Sequence, residues 1–160
     1  VIQLGAPETR RWIGLGCQLV LGIIFVYAGV SKLMDSLRFT ASLLGYQIIP
    51  LMMIKPLSVV MPWVEVCVGM LMVFGAYPRF TSGTIAGLLG LFTIMIIFAL
   101  SQGWIIDCGC FGSARPADWG KVVENLVMAA VAVGFYRNPN WVTPYSEWKT
   151  WLMNRMGPRS

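Results

Sequence analysis

The residues best suited to covalent chemistry are two thiols separated by one glycine. They lie in the stretch Asp107-Cys108-Gly109-Cys110-Phe111-Gly112. A disulfide across a single residue closes a very small ring and departs from relaxed geometry. Strained, exposed disulfides are the oxidising and labile ones. Gly109 lowers the steric cost of bending the chain between the two sulfurs, and Gly112 relaxes the exit from the loop. Phe111 is placed to anchor the loop at a bilayer edge. Reactivity follows thiolate character. Arg115, Lys121 and a following helix N-terminus would favour the thiolate, and Asp107 would oppose it. On the residues alone, Cys108 and Cys110 are either a thiol–disulfide catalytic pair or a permanent staple.

The other two cysteines, Cys17 and Cys67, sit inside apolar stretches and read as small packing residues. Glu65 also lies inside an apolar stretch, where a carboxylate is costly unless it is paired. It falls about eight residues past the expected start of its helix, or roughly 12 Å along it. Lys32 closes the preceding span on the same side, so a Lys32–Glu65 pair is geometrically sensible. Lys32 is also placed to snorkel to the interface. The pair either locks two helices together or handles a proton. Cys67, two residues beyond Glu65, faces away from it.

There is no histidine in the chain. That excludes His-ligated haem, His-based acid–base catalysis and most zinc sites. No metal site is expected from the four cysteines either, because two of them are inside apolar spans.

The elements that must position these groups are membrane helices. Hydrophobic residues make up 57% of the 160-residue chain and charged residues 12%, about half the usual charged share. A helix needs about 20 apolar residues to cross a bilayer. Four stretches meet that length, at about 12–33, 57–77, 80–104 and 118–136. The expectation is therefore an all-α, polytopic four-helix bundle forming one membrane domain. The stretch after Arg10-Arg11 runs a full membrane width and reads as a retained anchor. Gly14, Gly16, Gly22, Ala28 and Gly29 in the first span, and Gly83, Gly87 and Gly90 in the third, read as positions where helices approach closely. Residues 35–56 alternate Asp35, Ser36, Arg38, Thr40, Ser42 and Gln47 with Leu37, Phe39, Leu43, Leu44 and Ile48. That pattern predicts a surface helix broken at Pro50 and again at Pro56, able to roof the space between spans one and two. In the tail, 137–160, Trp141, Tyr145, Trp148 and Trp151 recur at helical spacing and predict a short interfacial helix.

With four spans both termini share one side. That side carries seven basic residues, Arg10, Arg11, Arg79, Arg137, Lys149, Arg155 and Arg159. The other carries five, Lys32, Arg38, Lys55, Arg115 and Lys121. The positive-inside rule then puts the termini in the cytoplasm and the Cys108–Cys110 loop outside. In a bacterial inner membrane that is the periplasm, where disulfides persist. The formal charge of +5 reads as cytoplasmic flanks and carries no nucleic-acid inference.

Ala28-Gly29-Val30-Ser31-Lys32-Leu33-Met34-Asp35 resembles the end of the first span in the DoxX/MauE superfamily. Tyr46, Pro50, Pro62-Trp63 and Glu65 resemble its second-span pattern. Asp107-Cys108-Gly109-Cys110-Phe111-Gly112 is similar to the MauE branch, and the likeness covers about 12–137. It departs at Glu124-Asn125, where the branch often carries Arg-Asn, and in the Trp-rich tail. The resemblance implies a four-helix membrane bundle in the company of small membrane thiol oxidoreductases. The protein that names the branch is associated with maturation of methylamine dehydrogenase, whose small subunit is rich in disulfides. By this resemblance Cys108 and Cys110 would exchange electrons with a periplasmic thioredoxin-like protein. Lys32, Glu65, Asp107, Gly109, Phe111 and Gly112 would be supporting residues. No cofactor motif is evident; a quinone enters as electron acceptor by analogy with other small bundles. The alternative is a non-catalytic accessory subunit of a larger respiratory or photosynthetic membrane complex, its methionine- and aromatic-rich surface packed against lipid or neighbouring helices. A transporter finds little support, since no repeat of discontinuous helices is visible.

Overall fold

A computed structural model describes residues 6–45, 49–103 and 118–156. The described residues form helices and turns, with no strand among them. The first helix, α1, spans Ala6–Met34, and α2 spans Ser36–Gly45. Helix α3 spans Leu51–Val73, α4 spans Pro78–Ser101, α5 spans Trp119–Arg137 and α6 spans Tyr145–Met156. A 3-10 turn at Pro139–Trp141 leads into α6. Among the described residues, three segments are long and apolar enough to cross a membrane: Trp12–Met34, Leu51–Val73 and Pro78–Ser101.

Helices α1 and α3 pack antiparallel, almost backbone to backbone. A Cβ on Gly29 would lie 2.7 Å from the Pro62 carbonyl oxygen, and one on Gly69 would lie 2.9 Å from the Gly22 carbonyl oxygen. Close approach of this kind is what small residues contribute in lipid, where helix association has no hydrophobic driving force. The other glycines divide. Gly14 meets the Trp141 carbonyl and Gly83 the Tyr136 ring, but Gly16, Gly87 and Gly90 have open space around them. Those three are not sites of close helix approach, contrary to the sequence expectation. Helices α4 and α5 form a second antiparallel pair. The shared core runs through Leu21, Phe25, Met72, Ile85, Leu89 and Phe135.

Asp35 separates α1 from α2. Its carboxylate accepts the Arg38 N–H at 3.1 Å and so caps the second helix. Phe39 and Leu43 of α2 then pack on Ile54 and Met61 of α3 and on Phe92 of α4. A helix is therefore present where the sequence predicts one, and it packs on α3 and α4. Tyr46, Gln47 and Ile48 lie outside the described residues. The expected break at Pro56 is absent: α3 starts at Leu51 and carries both Pro56 and Pro62 in its interior. A membrane helix tolerates proline because neighbouring elements and local adjustments satisfy the freed carbonyls. The Ser58 hydroxyl sits in this region and donates to the Lys55 carbonyl at 2.9 Å.

At the other end of the molecule α3 stops in a Schellman turn. The Ala76 N–H reaches the Leu71 carbonyl at 2.9 Å, and the Gly75 N–H reaches Met72 at 3.0 Å. Gly75 has φ of 66°, and a Cβ there would meet the Thr143 carbonyl at 2.5 Å. Only glycine suits both conditions. The tail docks against this turn through Gln18, a fully buried amide in the middle of α1. Gln18 Nε2 donates to the carbonyls of Met72 at 3.0 Å and Thr143 at 3.1 Å, and Gln18 Oε1 accepts the Thr143 N–H at 2.8 Å. Trp141 belongs to the 3-10 turn, not to α6, so it does not share a helix with Tyr145. Tyr145 stacks edge-on with Phe74 at 6.0 Å.

Candidate functional site

The buried charge in the described structure is concentrated at Lys32 and Glu65, whose side chains are 2–3% exposed. Lys32 Nζ donates to Glu65 Oε1 at 2.5 Å and to Oε2 at 2.7 Å. The direction follows from helix geometry. Side chains lean toward the N-terminus of their own helix, so Lys32, one turn from the end of α1, points back into the bundle. The snorkelling posture expected from its position is not adopted. Because α3 starts at Leu51, Glu65 lies 14 residues into the helix, about 21 Å along its axis. That is deeper than the sequence spacing indicated.

Five helices meet at the ammonium group. Its N–H donors face Glu65 of α3. Its charge lies 5.3 Å from the Phe39 ring centre of α2 and 4.8 Å from that of Phe92 of α4. Both distances fall inside the range of cation–π attraction. Asn125 of α5 completes the surround, and with Phe25, Ala28 and Leu89 it lines a small, partly open cavity of about 30 Å³ beside the pair. A bidentate pair with two aromatic faces recovers much of the cost of removing both charges from water. Phe39, Phe92 and Asn125 were not singled out as partners of this pair. An amide next to Glu124, in a stretch read as a membrane span, was the available signal for Asn125.

The thiol-bearing connection joins α4 to α5. It leaves α4 after Ser101, where Gly103 turns the chain with φ of 71°. It enters α5 at Asp118, whose side chain accepts the Lys121 N–H at 2.9 Å. Asp107, Cys108, Gly109, Cys110, Phe111, Gly112 and Arg115 lie between these points and outside the described residues. Lys121, read from sequence as a cation near the thiols, donates to Glu124 at 2.8 Å. Cys17 is half-buried against the core. Cys67 is exposed on the outer face of α3, so it faces away from Glu65 without packing in the core. No cluster of three or more metal-ligating side chains occurs among the described residues.

A quinone can be tested against this geometry. A cavity that holds a benzene ring measures about 150 Å³. The space beside the ion pair is about 30 Å³, so it does not admit a quinone ring, and its residues do not fit that group.

Apolar helices packed through glycines around an intramembrane ion pair define a multi-pass helical membrane protein. Residues 10–137 match the family model described as methylamine utilisation protein MauE, and the chain belongs to that family. It is similar to the methylamine utilization protein MauE of Paracoccus denitrificans, with 31% identity over 121 residues, covering 72% of this chain and 64% of the relative. The protein of the same name from Methylorubrum extorquens is 27% identical, covering 76% of this chain and 65% of the relative. That from Methylophilus methylotrophus is 22% identical, covering 76% and 63%. The chain thus spans a little under two thirds of the length of these relatives. No solved structure matches it.

Proposed function

We propose that this protein is a membrane thiol–disulfide redox protein that serves the maturation of a periplasmic or membrane redox protein; the methylamine-utilisation name of its relatives supports a place for it in methylamine use. The observation that carries the reading is the Cys108-Gly109-Cys110 pair, in the connection between α4 and α5 of a MauE-family chain. One sulfur of the pair, as thiolate, attacks a disulfide of a thioredoxin-like partner. The mixed disulfide forms and the partner's other sulfur leaves as thiolate. The second cysteine then attacks the mixed disulfide and releases the partner's remaining sulfur. Two electrons pass to the partner, whose thiolates take up two protons, and the pair is left oxidised. The reverse sequence oxidises the partner. Asp107, Gly109, Phe111 and Gly112 shape the loop, and Lys32 and Glu65 support the bundle beneath it through Phe92 of α4 and Asn125 of α5.

The same reading makes α5 the fourth span of an inner-membrane bundle. Its 19 residues measure about 28 Å. It runs antiparallel to α4, with Asn125 level with Phe92 beside the ion pair and Phe135 packed in the core near the Met72 end. The contact of Gly14 with Trp141 brings the start of α1 and the tail to one end, as four spans require. The excess of basic residues at that end supports a cytoplasmic side for it and a periplasmic side for the thiols.

Trapping tests the reading. A Cys110→Ser variant leaves Cys108 unable to resolve, and is expected to accumulate a mixed disulfide with a thioredoxin-like protein that dithiothreitol releases. If neither this variant nor Cys108→Ser gives an adduct while the protein still purifies in a stable membrane complex, the accessory-subunit reading replaces it.

A further inference from the structure

Helices α4 and α5 each carry an arginine in the turn nearest the tail. Arg79 lies in the first turn of α4 and Arg137 in the last turn of α5. The two helices are antiparallel, and a Cβ on Gly83 would meet the Tyr136 ring at 3.3 Å. That contact fixes their register. Arg79 lies one turn beyond Gly83 and Arg137 one residue beyond Tyr136, so the two differ by only about 5 Å in height along the bundle. Neither guanidinium has an ion-pair or side-chain hydrogen-bond partner among the described residues. Asp118 and Glu124 belong to the far end of α5 and Asp35 to the far end of α1, and Glu147 of α6 pairs with neither arginine. Two permanent positive charges thus stand at one level of the bundle without a counter-ion among the described residues.

The surface around them is aromatic. Tyr77 is 75% exposed, Phe80 66% and Tyr136 52%. Aromatic residues gather where a membrane helix crosses the headgroup layer. The combination of charge and rings selects the ligand. A soluble anion would engage the guanidinium groups and leave three rings in water. An anionic phospholipid engages both. Its phosphate accepts N–H donors from the planar guanidinium forks, and its glycerol and upper chains cover the rings. A zwitterionic lipid carries its own cation beside the phosphate and gains less from the arginines. We infer that Arg79 and Arg137, flanked by Tyr77, Phe80 and Tyr136, form a headgroup site for an anionic phospholipid at the tail end of the α4–α5 pair. The inference is independent of the thiol chemistry and of the leaflet that this end faces.

The test is native mass spectrometry of the whole protein, delipidated in detergent and titrated with phosphatidylglycerol or phosphatidylcholine. A basic residue beside an anionic lipid contributes roughly fivefold in affinity, so the two arginines together should favour phosphatidylglycerol by about 25-fold for the first lipid bound. Arg79→Gln and Arg137→Gln are each expected to lose about fivefold of that preference, and the double variant most of it. Phosphatidylcholine binding should not change. Lys149→Gln removes an exposed charge on α6, at the same end, and should leave the preference nearly intact. Equal affinity of the wild-type protein for the two lipids, or a double variant that keeps the preference, overturns the proposal. A loss in Lys149→Gln as large as in the arginine variants also overturns it, because general attraction to a basic end would then suffice. So does displacement of bound phosphatidylglycerol by millimolar inorganic phosphate, which would mark a simple anion site.

Discussion

Replacing Glu65 by glutamine should destabilise this protein far more than replacing both members of the ion pair. In Glu65→Gln, Lys32 loses charge-assisted bonds of 2.5 and 2.7 Å while remaining 3% exposed. Removing one partner of a buried pair costs about 3–5 kcal/mol, because the survivor is an uncompensated charge. The Phe39 and Phe92 rings lie beneath the ammonium with or without the carboxylate, so they leave that difference unchanged. At about 2–4 °C per kcal/mol for a chain of this size, the melting temperature drops by roughly 6–20 °C. The double variant Lys32→Met/Glu65→Leu removes both charges and keeps apolar bulk, so it should lie within about 1 kcal/mol of wild type. Tryptophan fluorescence melts in mild detergent provide the assay, with seven tryptophans as reporters. A single variant that melts with wild type, or a double variant as unstable as the two singles summed, would refute the reasoning.

Other expectations follow from packing. Gly29→Ala places a Cβ 2.7 Å from the Pro62 carbonyl and should cost about 1–3 kcal/mol as α1 and α3 are forced apart. Gly16→Ala, with open space around it, should be neutral or stabilising by up to about 1 kcal/mol; the same melts read both. Gln18→Leu removes the side-chain partner of both the Thr143 N–H and the Thr143 carbonyl at a cost of about 1–3 kcal/mol. It should speed limited proteolysis between residues 137 and 145 while leaving the α4–α5 pair protected.

Much of the frame was legible in sequence because lipid imposes simple rules on composition. Apolar length marked α1, α3 and α4, and the cost of a lone intramembrane carboxylate pointed from Glu65 to Lys32. What was not legible came from rules that proline and glycine follow differently in membranes. Pro56 reads as a break by the logic of soluble helices, yet it lies inside α3. Gly87 and Gly90 look like Gly22 and Gly29 in a sequence, and only the facing helix distinguishes them. The docking of the tail by Gln18 joins residues 125 positions apart, and no local pattern announces such a contact. Asn125 shows its character only when the cavity beside it is seen.

Sided labelling decides whether two neighbouring thiols work at the periplasmic face. Intact spheroplasts carrying the protein with Cys17 and Cys67 replaced by alanine would be reduced and treated with a membrane-impermeant maleimide, and the mass shift read on the purified chain. Cys108 and Cys110 are both expected to be modified in intact cells after reduction, and protected when the disulfide is first formed. Modification only after lysis would place the pair on the cytoplasmic side and contradict that expectation.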